Sequence, residues 1–288
     1  MPVAVVTDST AYLPAELAAG QHLTVVPLTV VIDGRDRREG ADLTPAEVAR
    51  ALTDRWSAVS TSRPAPQEFA DTYRRLLAAG STGVVSVHLS AGLSGTVAAA
   101  ELAARQVGRD KVLVVDSGST GMGLGFPALA AAAAAATGGS THQVRAAAVA
   151  AVGRTRTLFY VDTLEHLRRG GRITAASALL GTALSVKPIL HVQDGRIVLR
   201  DKVRTAARAL AKLVDLAVAA AADAGEVDVA VHHLADPDRA RGLADALAAR
   251  LGDRLRDVYL AEIGAVVTAH AGPGLVSIVV HRRPAVVT

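Results

Sequence analysis

Along this chain short valine-rich apolar runs alternate with longer stretches whose apolar positions recur at helical spacing. Val3 to Thr7, Val84 to Leu89 and Val112 to Val115 are near-continuous apolar runs, the pattern of strands buried on both faces. Leu23 to Ile32 is β-branched but interrupted by Pro27, which predicts a bulge or an edge. Asp33-Gly34 follows as a turn signal. Thr44-Pro45-Ala46-Glu47 matches a capping box with Pro at the first helical position, so a helix starts there. Phe69, Tyr73, Leu76 and Leu77 fall on one face of another helix, which Gly80 ends. Val97 to Val107 reads as a further helix, after a loop over Ser90 to Thr96.

This rhythm of strand, polar turn and helix implies a mainly parallel sheet with helices on both faces. After residue 155 the pattern changes. Thr157 to Val161 reads as a strand, and Asp162 to Arg169 as a short helix ended by Gly170-Gly171. Lys187 to Val192, the turn Asp194-Gly195 and Arg196 to Leu199 form an antiparallel hairpin. Helices are predicted over Arg204 to Ala222 and Pro237 to Leu251, and strands over Val227 to His232 and Leu275 to His281. The expected fold is therefore two α/β domains. Residues 1–155 form a mainly parallel sheet flanked by helices, and residues 156–288 a mixed sheet with helices. No long Pro/Gly/Ser linker marks the boundary, so the two parts are expected to pack closely.

Composition narrows the function. The 288 residues are 50% hydrophobic but only 3% aromatic, so the core must be mostly Ala, Val and Leu. Lys and Arg total 31 against 27 Asp and Glu, a net +4, and no dense basic run with interleaved aromatics occurs. That argues against nucleic acid. The absence of Cys excludes disulfides, thiolate metal sites and Cys nucleophiles, and is compatible with the cytoplasm, the expected location. The opening Met1 to Asp8 has no basic region and reads as a first strand, not a signal peptide. The apolar stretch from Gly123 to Thr137 falls short of the roughly 20 residues of a membrane span and reads as a buried Ala-rich helix.

Polar islands follow the apolar runs: Thr7-Asp8-Ser9-Thr10, Ser60 to Pro64, Leu93-Ser94-Gly95-Thr96, Asp116-Ser117, Arg168 to Arg172 and His270 to Gly274. Ligand sites in open α/β sheets form outside the carboxyl ends of strands, so these islands suggest one site drawn from distant parts of the chain. Rich in hydroxyls, they favour a hydrogen-bonding site over a metal cage; the nine His are scattered, and no H-x-x-x-H pair with a supporting carboxylate is present. Gly92 to Thr96 fails the nucleophile-elbow pattern because Thr96 stands where the second Gly belongs. Ser94 can be a covalent nucleophile, a helix cap, or a ligand-facing hydroxyl beside helix N–H groups suited to an anionic head group. Gly121 to Gly125 fits neither a dinucleotide fingerprint nor a P-loop, and close helix packing explains it better. Arg168, Arg169, Arg172 and Arg204 are either a solvated basic edge or a docking surface.

Taken together and in order, the islands resemble the DegV family, the fatty-acid-binding (FakB-type) subunits of bacterial fatty acid kinase. The resemblance spans essentially the whole chain and includes Thr61 to Pro66, Leu167 to Ile173, Val186 to Leu190 and Glu262-Ile263-Gly264. Ala265 stands where the family often has Pro, and His88-Leu89-Ser90 where small polar residues are common. The resemblance implies a long-chain fatty acid held between two domains. The ligand-binding positions are Thr61, Ser62, Ser94, Gly95, Thr96 and His270, with Thr61 and Ser94 holding the carboxyl group. It further implies that Arg172 and Arg204 meet a separate ATP-dependent kinase subunit, which makes an acyl phosphate for phospholipid synthesis. On that reading the chain is a carrier with no cofactor, no metal and no catalytic residue. His270 could neutralise the ligand's charge when protonated, and the sequence does not fix the protonation state of the ring. The rival is a Ser-dependent lipid hydrolase or acyltransferase using Ser94 and His270.

Overall fold

The computed structural model describes residues 2–284, apart from 15, 16, 18, 19, 21, 55, 56 and 174–185. The first half is built on β1 (Ala4–Asp8), β2 (Leu23–Val26), β6 (Val84–His88) and β7 (Val112–Asp116), all parallel, in the order β2-β1-β6-β7. Alternation along each strand sends neighbouring valines to opposite faces. Val6, Val84 and Val112 pack with Phe69 and Tyr73 of α2 (Pro66–Ala78) and the alanines of α3 (Thr96–Val107). Val5, Val85 and Val87 pack with Leu124, Ala128 and Ala131 of α4 (Met122–Ala136) and with Val144 and Ala148 of α5 (Thr141–Arg154). Small alanines let these helices lie close to the sheet, which is why so few aromatics suffice. Among the described residues no helix is long and apolar enough to cross a membrane.

The β-branched run Leu23 to Ile32 is not one bulged strand. Pro27 divides it into β2 and β3 (Thr29–Ile32), which belong to different sheets. Proline has no N–H to extend the ladder, so the chain leaves the parallel sheet there. β3 then pairs antiparallel with β4 (Arg35–Arg38) and β5 (Val59–Ser62), a small sheet that the hydrophobic pattern does not reveal. Between β4 and β5 lies α1 (Pro45–Thr53), which opens with the expected Thr44–Glu47 capping box.

The second half holds a mixed sheet, β10-β9-β8-β13-β11-β12. Its strands are β8 (Thr155–Tyr160), β9 (Lys187–Gln193), β10 (Arg196–Val203), β11 (Val227–His233), β12 (Leu255–Glu262) and β13 (Val276–Arg282). Only β11 and β12 are parallel. The Asp194-Gly195 turn of the β9–β10 hairpin has φ of 50° and 73°, the primed-turn geometry expected. One face is covered by α7 (Ala206–Ala220) and α8 (Pro237–Leu251), through Leu213, Val214, Leu243 and Leu247. The other presents Phe159, Leu190 and Ile197 toward the first half. Arg204 does not begin α7: Thr205 caps it by accepting the Arg208 N–H, and Arg204 lies exposed one residue earlier. Nor is His270 on a turn. It sits in the last turn of α9 (Ala265–Ala271), which follows α6 (Glu165–Arg169) in chain order and ends at Gly272.

The end of β1 is tied to β6 by one fully buried carboxylate. Asp8 Oδ1 accepts the Thr10 N–H (3.1 Å) and hydroxyl (2.5 Å), while Oδ2 accepts the Leu89 N–H (2.9 Å) and His88 Nδ1 (3.0 Å). Tyr73 donates to Ser86 Oγ (2.8 Å), so Ser86 donates onward to His88 Nε2 (2.6 Å). Every donor around the carboxylate is used. Asp8→Asn turns an amide NH₂ toward groups that are themselves donors. It is expected to lower stability by roughly 2–4 kcal/mol in urea unfolding, and a loss below about 1 kcal/mol would show that the network does not hold the two strands.

Candidate ligand-binding site

Between the two large sheets runs a narrow apolar slot. The space open to the centre of a water molecule within it is about 80 Å³, several times the roughly 10–15 Å³ that one water requires. Leu28, Leu89 and Leu93 line it from the first half, and Phe159, Leu167, Ile197 and Leu275 from the second. Thr61, Ser62, Ser94, Arg172 and His270 also lie on its wall. Residues from four separate islands therefore meet in one place. Thr61 and His270, 209 residues apart, are joined Oγ1 to Nε2 at 2.8 Å.

Each polar group is positioned by its local structure. Thr61 lies on β5 opposite Val30 of β3, whose buried side chain fixes the register. Ser94 lies in the turn after β6, where the Leu93 and Ser94 N–H groups both donate to the Ser90 carbonyl. Its hydroxyl contacts Thr96 Oγ1 at 2.9 Å and accepts the Thr96 N–H at 3.3 Å. Ser94 thus orders the start of α3 while remaining on the pocket wall. Gly95 and Thr96, expected to bind ligand, are not on that wall. Gly95 lies beneath the Arg63 side chain, and Thr96 is buried against Ser94. The same loop is clasped from the second half: Ser90 Oγ donates to the Gly195 carbonyl at 2.6 Å.

Arg172 lies on the pocket wall and not only on an outer surface. Its Nε donates to the Leu93 carbonyl at 3.2 Å, and its Nη1 donates to the Gly170 carbonyl. Gly170 in turn lies so close to the His270 ring that a Cβ there would come within 2.6 Å of Nδ1. Burial, reinforced by the Arg172 charge, lowers His270 to about 4. The ring is therefore neutral near neutral pH, a state that the sequence leaves open. Among the described residues that line the pocket, the positive charge belongs to Arg172.

The geometry gives no support to a Ser94–His270 nucleophile pair, because the ring nitrogen faces Thr61 and the Ser94 hydroxyl faces Thr96. Asp8, His88 and Ser86 follow the order of a catalytic triad, but all three are fully buried, with Tyr73 bonded to the serine. They fasten the sheet. Gly123 of the glycine run lies against Ser119 and Thr157 with no room for a Cβ, which bears out close packing. The first N–H of α4, at Met122, is taken by His232 Nε2 (2.9 Å). His232 lines the pocket, is held near 4 by burial, and donates from Nδ1 to the Ala261 carbonyl. Among the described residues no group of His, Asp and Glu is arranged to hold a metal ion.

Sequence reasoning missed the group that places His270. Glu39 accepts from Ser9 Oγ (2.5 Å), Tyr12 Oη (3.0 Å) and the Val266 N–H (2.8 Å), and Tyr12 Oη accepts the Val267 N–H (3.1 Å). A carboxylate and a phenol from the first half thus receive the free N–H groups at the start of α9. Burial raises the Glu39 carboxyl above its ordinary value, while its donors pull it back. In sequence Glu39 ends the charged run Arg35-Asp36-Arg37-Arg38 and looks like solvated surface; only its 6% exposure separates it from its neighbours. Glu39→Ala leaves these donors without an acceptor and is expected to lower stability by roughly 2–4 kcal/mol in urea unfolding. Glu39→Gln, which keeps one carbonyl oxygen for Val266, should recover part of that loss. Equal losses in the two variants would show that the anchor at α9 does not depend on that oxygen.

Comparison with known proteins agrees with this architecture. Residues 2–283 match the model of the DegV family, described as a family of uncharacterised proteins. A DegV domain-containing protein of Streptomyces coelicolor is 52% identical over 281 residues, covering 98% of this chain and 99% of the relative. A DegV family protein of Thermus thermophilus, described in terms of fatty acid binding, superposes with a TM-score of 0.92 at 33% identity, over 98% of this chain and 100% of its own. DegV of Bacillus subtilis, described as a fatty acid binding protein, gives 0.87 at 32% identity, over 98% and 100%. Sequence match, full-length coverage and shared fold together place this chain in the DegV family.

Proposed function

We propose that this protein binds a long-chain fatty acid between two domains, residues 1–155 and 156–288, and presents its carboxylate to a separate ATP-dependent kinase subunit. On this reading it is a cytoplasmic carrier that performs no chemistry itself. The observation that carries the reading is the apolar slot walled by both halves, with Thr61, His270, Ser94 and Arg172 gathered on it. The fatty-acid descriptions of the Thermus and Bacillus relatives support it. Burial contributes roughly 0.8 kcal/mol per CH₂, so a chain of about sixteen carbons supplies on the order of 10 kcal/mol before ordering costs. A carboxylate in such a slot requires compensation. The Arg172 guanidinium supplies charge, and the hydroxyls of Thr61 and Ser94 supply donors. A carboxylate arriving beside His270 would also favour protonation of that ring, opposing the effect of Arg172.

If this is correct, small molecules extracted from the purified protein should contain a long-chain fatty acid by mass spectrometry, and added palmitate should raise the melting temperature of emptied protein. Ser94→Ala should weaken binding by roughly 1.5–3 kcal/mol, the worth of a hydrogen bond to a charged group. A drop of about 1 kcal/mol in stability with unchanged affinity would instead confine Ser94 to ordering the α3 start.

Two arginines separate binding from docking. Arg204 is exposed and precedes the Thr205 cap, and no side-chain partner for it is found among the described residues. Arg204→Glu should spare fatty-acid affinity and reduce turnover by the cognate kinase in a salt-dependent way, because exposed charges steer encounter. Arg172→Glu should reduce both, because Arg172 also lies on the pocket wall. Wild-type phosphorylation of Arg204→Glu at low salt would remove that residue from the docking face.

A further inference from the structure

The slot is not apolar along its whole length. Leu275, just before β13, lies beside Leu167 and Ala271 in the cluster next to His270. Along β13 the same face continues through Ser277 to Val279, four residues further, or about 13 Å at the rise of a strand. Val279 pairs with Thr157 on β8. Thr157 therefore marks the end remote from His270, and Thr120 and Ser277 line the same deep half with His232. Neither His232 nor Ser277 has a proton to offer: His232 bonds to Met122 and Ala261 through both ring nitrogens, and Ser277 donates to the Leu158 carbonyl. Thr120 has one. Its Oγ1 is buried and has no hydrogen-bond partner among the described residues. Thr157 Oγ1 and Ser119 Oγ share one hydrogen bond at 2.9 Å, so one of the two hydroxyl protons has no acceptor there.

A plain hydrocarbon tail leaves the Thr120 hydroxyl as it is, and a buried donor without a partner is unfavourable. We propose that the deep half of the slot selects a long-chain acid carrying a hydrogen-bonding oxygen function in the distal half of its chain, with Thr120 as the recognising group and the Ser119–Thr157 pair beside it. The inference rests on the fatty-acid reading above and adds the class of acyl chain to it. A tail oxygen would accept the Thr120 hydroxyl and offer Thr157 a second partner, while the head group keeps its place at Thr61 and His270.

The test is competition binding to emptied full-length protein, using stearic acid and a series of its hydroxylated analogues that differ only in where the hydroxyl lies along the distal half. One or more analogues should bind about threefold to tenfold more tightly than stearic acid, the worth of one neutral hydrogen bond. Thr120→Val, which keeps the shape and removes the hydroxyl, should abolish that preference, so that the analogues bind this variant no more tightly than stearic acid does. Thr7→Val is the control: Thr7 Oγ1 is also buried without a partner, but Thr7 does not line the slot, so the preference should persist. Melting of each ligand-free variant checks that the fold is intact. The proposal is overturned if stearic acid binds as tightly as every analogue, as when water satisfies the hydroxyls. It is equally overturned if the preference survives Thr120→Val. If no acid binds at all, the fatty-acid reading falls and this inference falls with it.

Discussion

A carboxylate enclosed by an apolar sheet must have a donor at each of its lone pairs, and Asp8 meets that demand with Thr10, His88 and Leu89. The demand fixes more than one strand. It fastens the ends of β1 and β6 together, and so sets where the chain departs from each. From β1 the chain continues to Ser9 and Tyr12, which meet Glu39 and with it the start of α9. From β6 it continues to Ser90, Leu93 and Ser94. Both walls of the polar site are thus referred to a single buried group, and His270 is placed by a chain of hydrogen bonds that begins near residue 8.

This arrangement explains which parts of the structure were legible in the sequence. Features governed by local chemistry were. The Thr44 capping box, the Asp194-Gly195 hairpin and the span Pro237 to Leu251 need only neighbours within a few residues. Features governed by distant partners were not. β4 is four charged residues that pair with β3. β12 lies at a sheet edge with much of its surface exposed, so it lacks the apolar run of a central strand. α9 is seven residues, too short to declare itself by periodicity, and its N-terminal partners come from Glu39 and Tyr12.

The site divides the same way. Thr61, Ser94 and His270 were visible because hydroxyls and a histidine beside glycines are unusual at the ends of apolar runs. The charge state of His270 was not, since it depends on burial and on Arg172 coming alongside. Nor was the position of Arg172, which from its Gly-Gly turn alone reads as surface. Gly95 and Thr96 neighbour a pocket residue in sequence, yet they are not among the residues that line the slot.

The bond between Thr61 and His270 closes a loop of 209 residues. Closing so long a loop before other contacts form carries an entropic cost, whereas each half has its own apolar cluster to fold around. The slot, walled by residues of both halves, therefore comes into being only when the halves have met. Neither half alone contains both walls. A molecule retained in the slot is consequently a marker of completed assembly, and occupancy reports on the quality of the whole fold as well as on the supply of ligand.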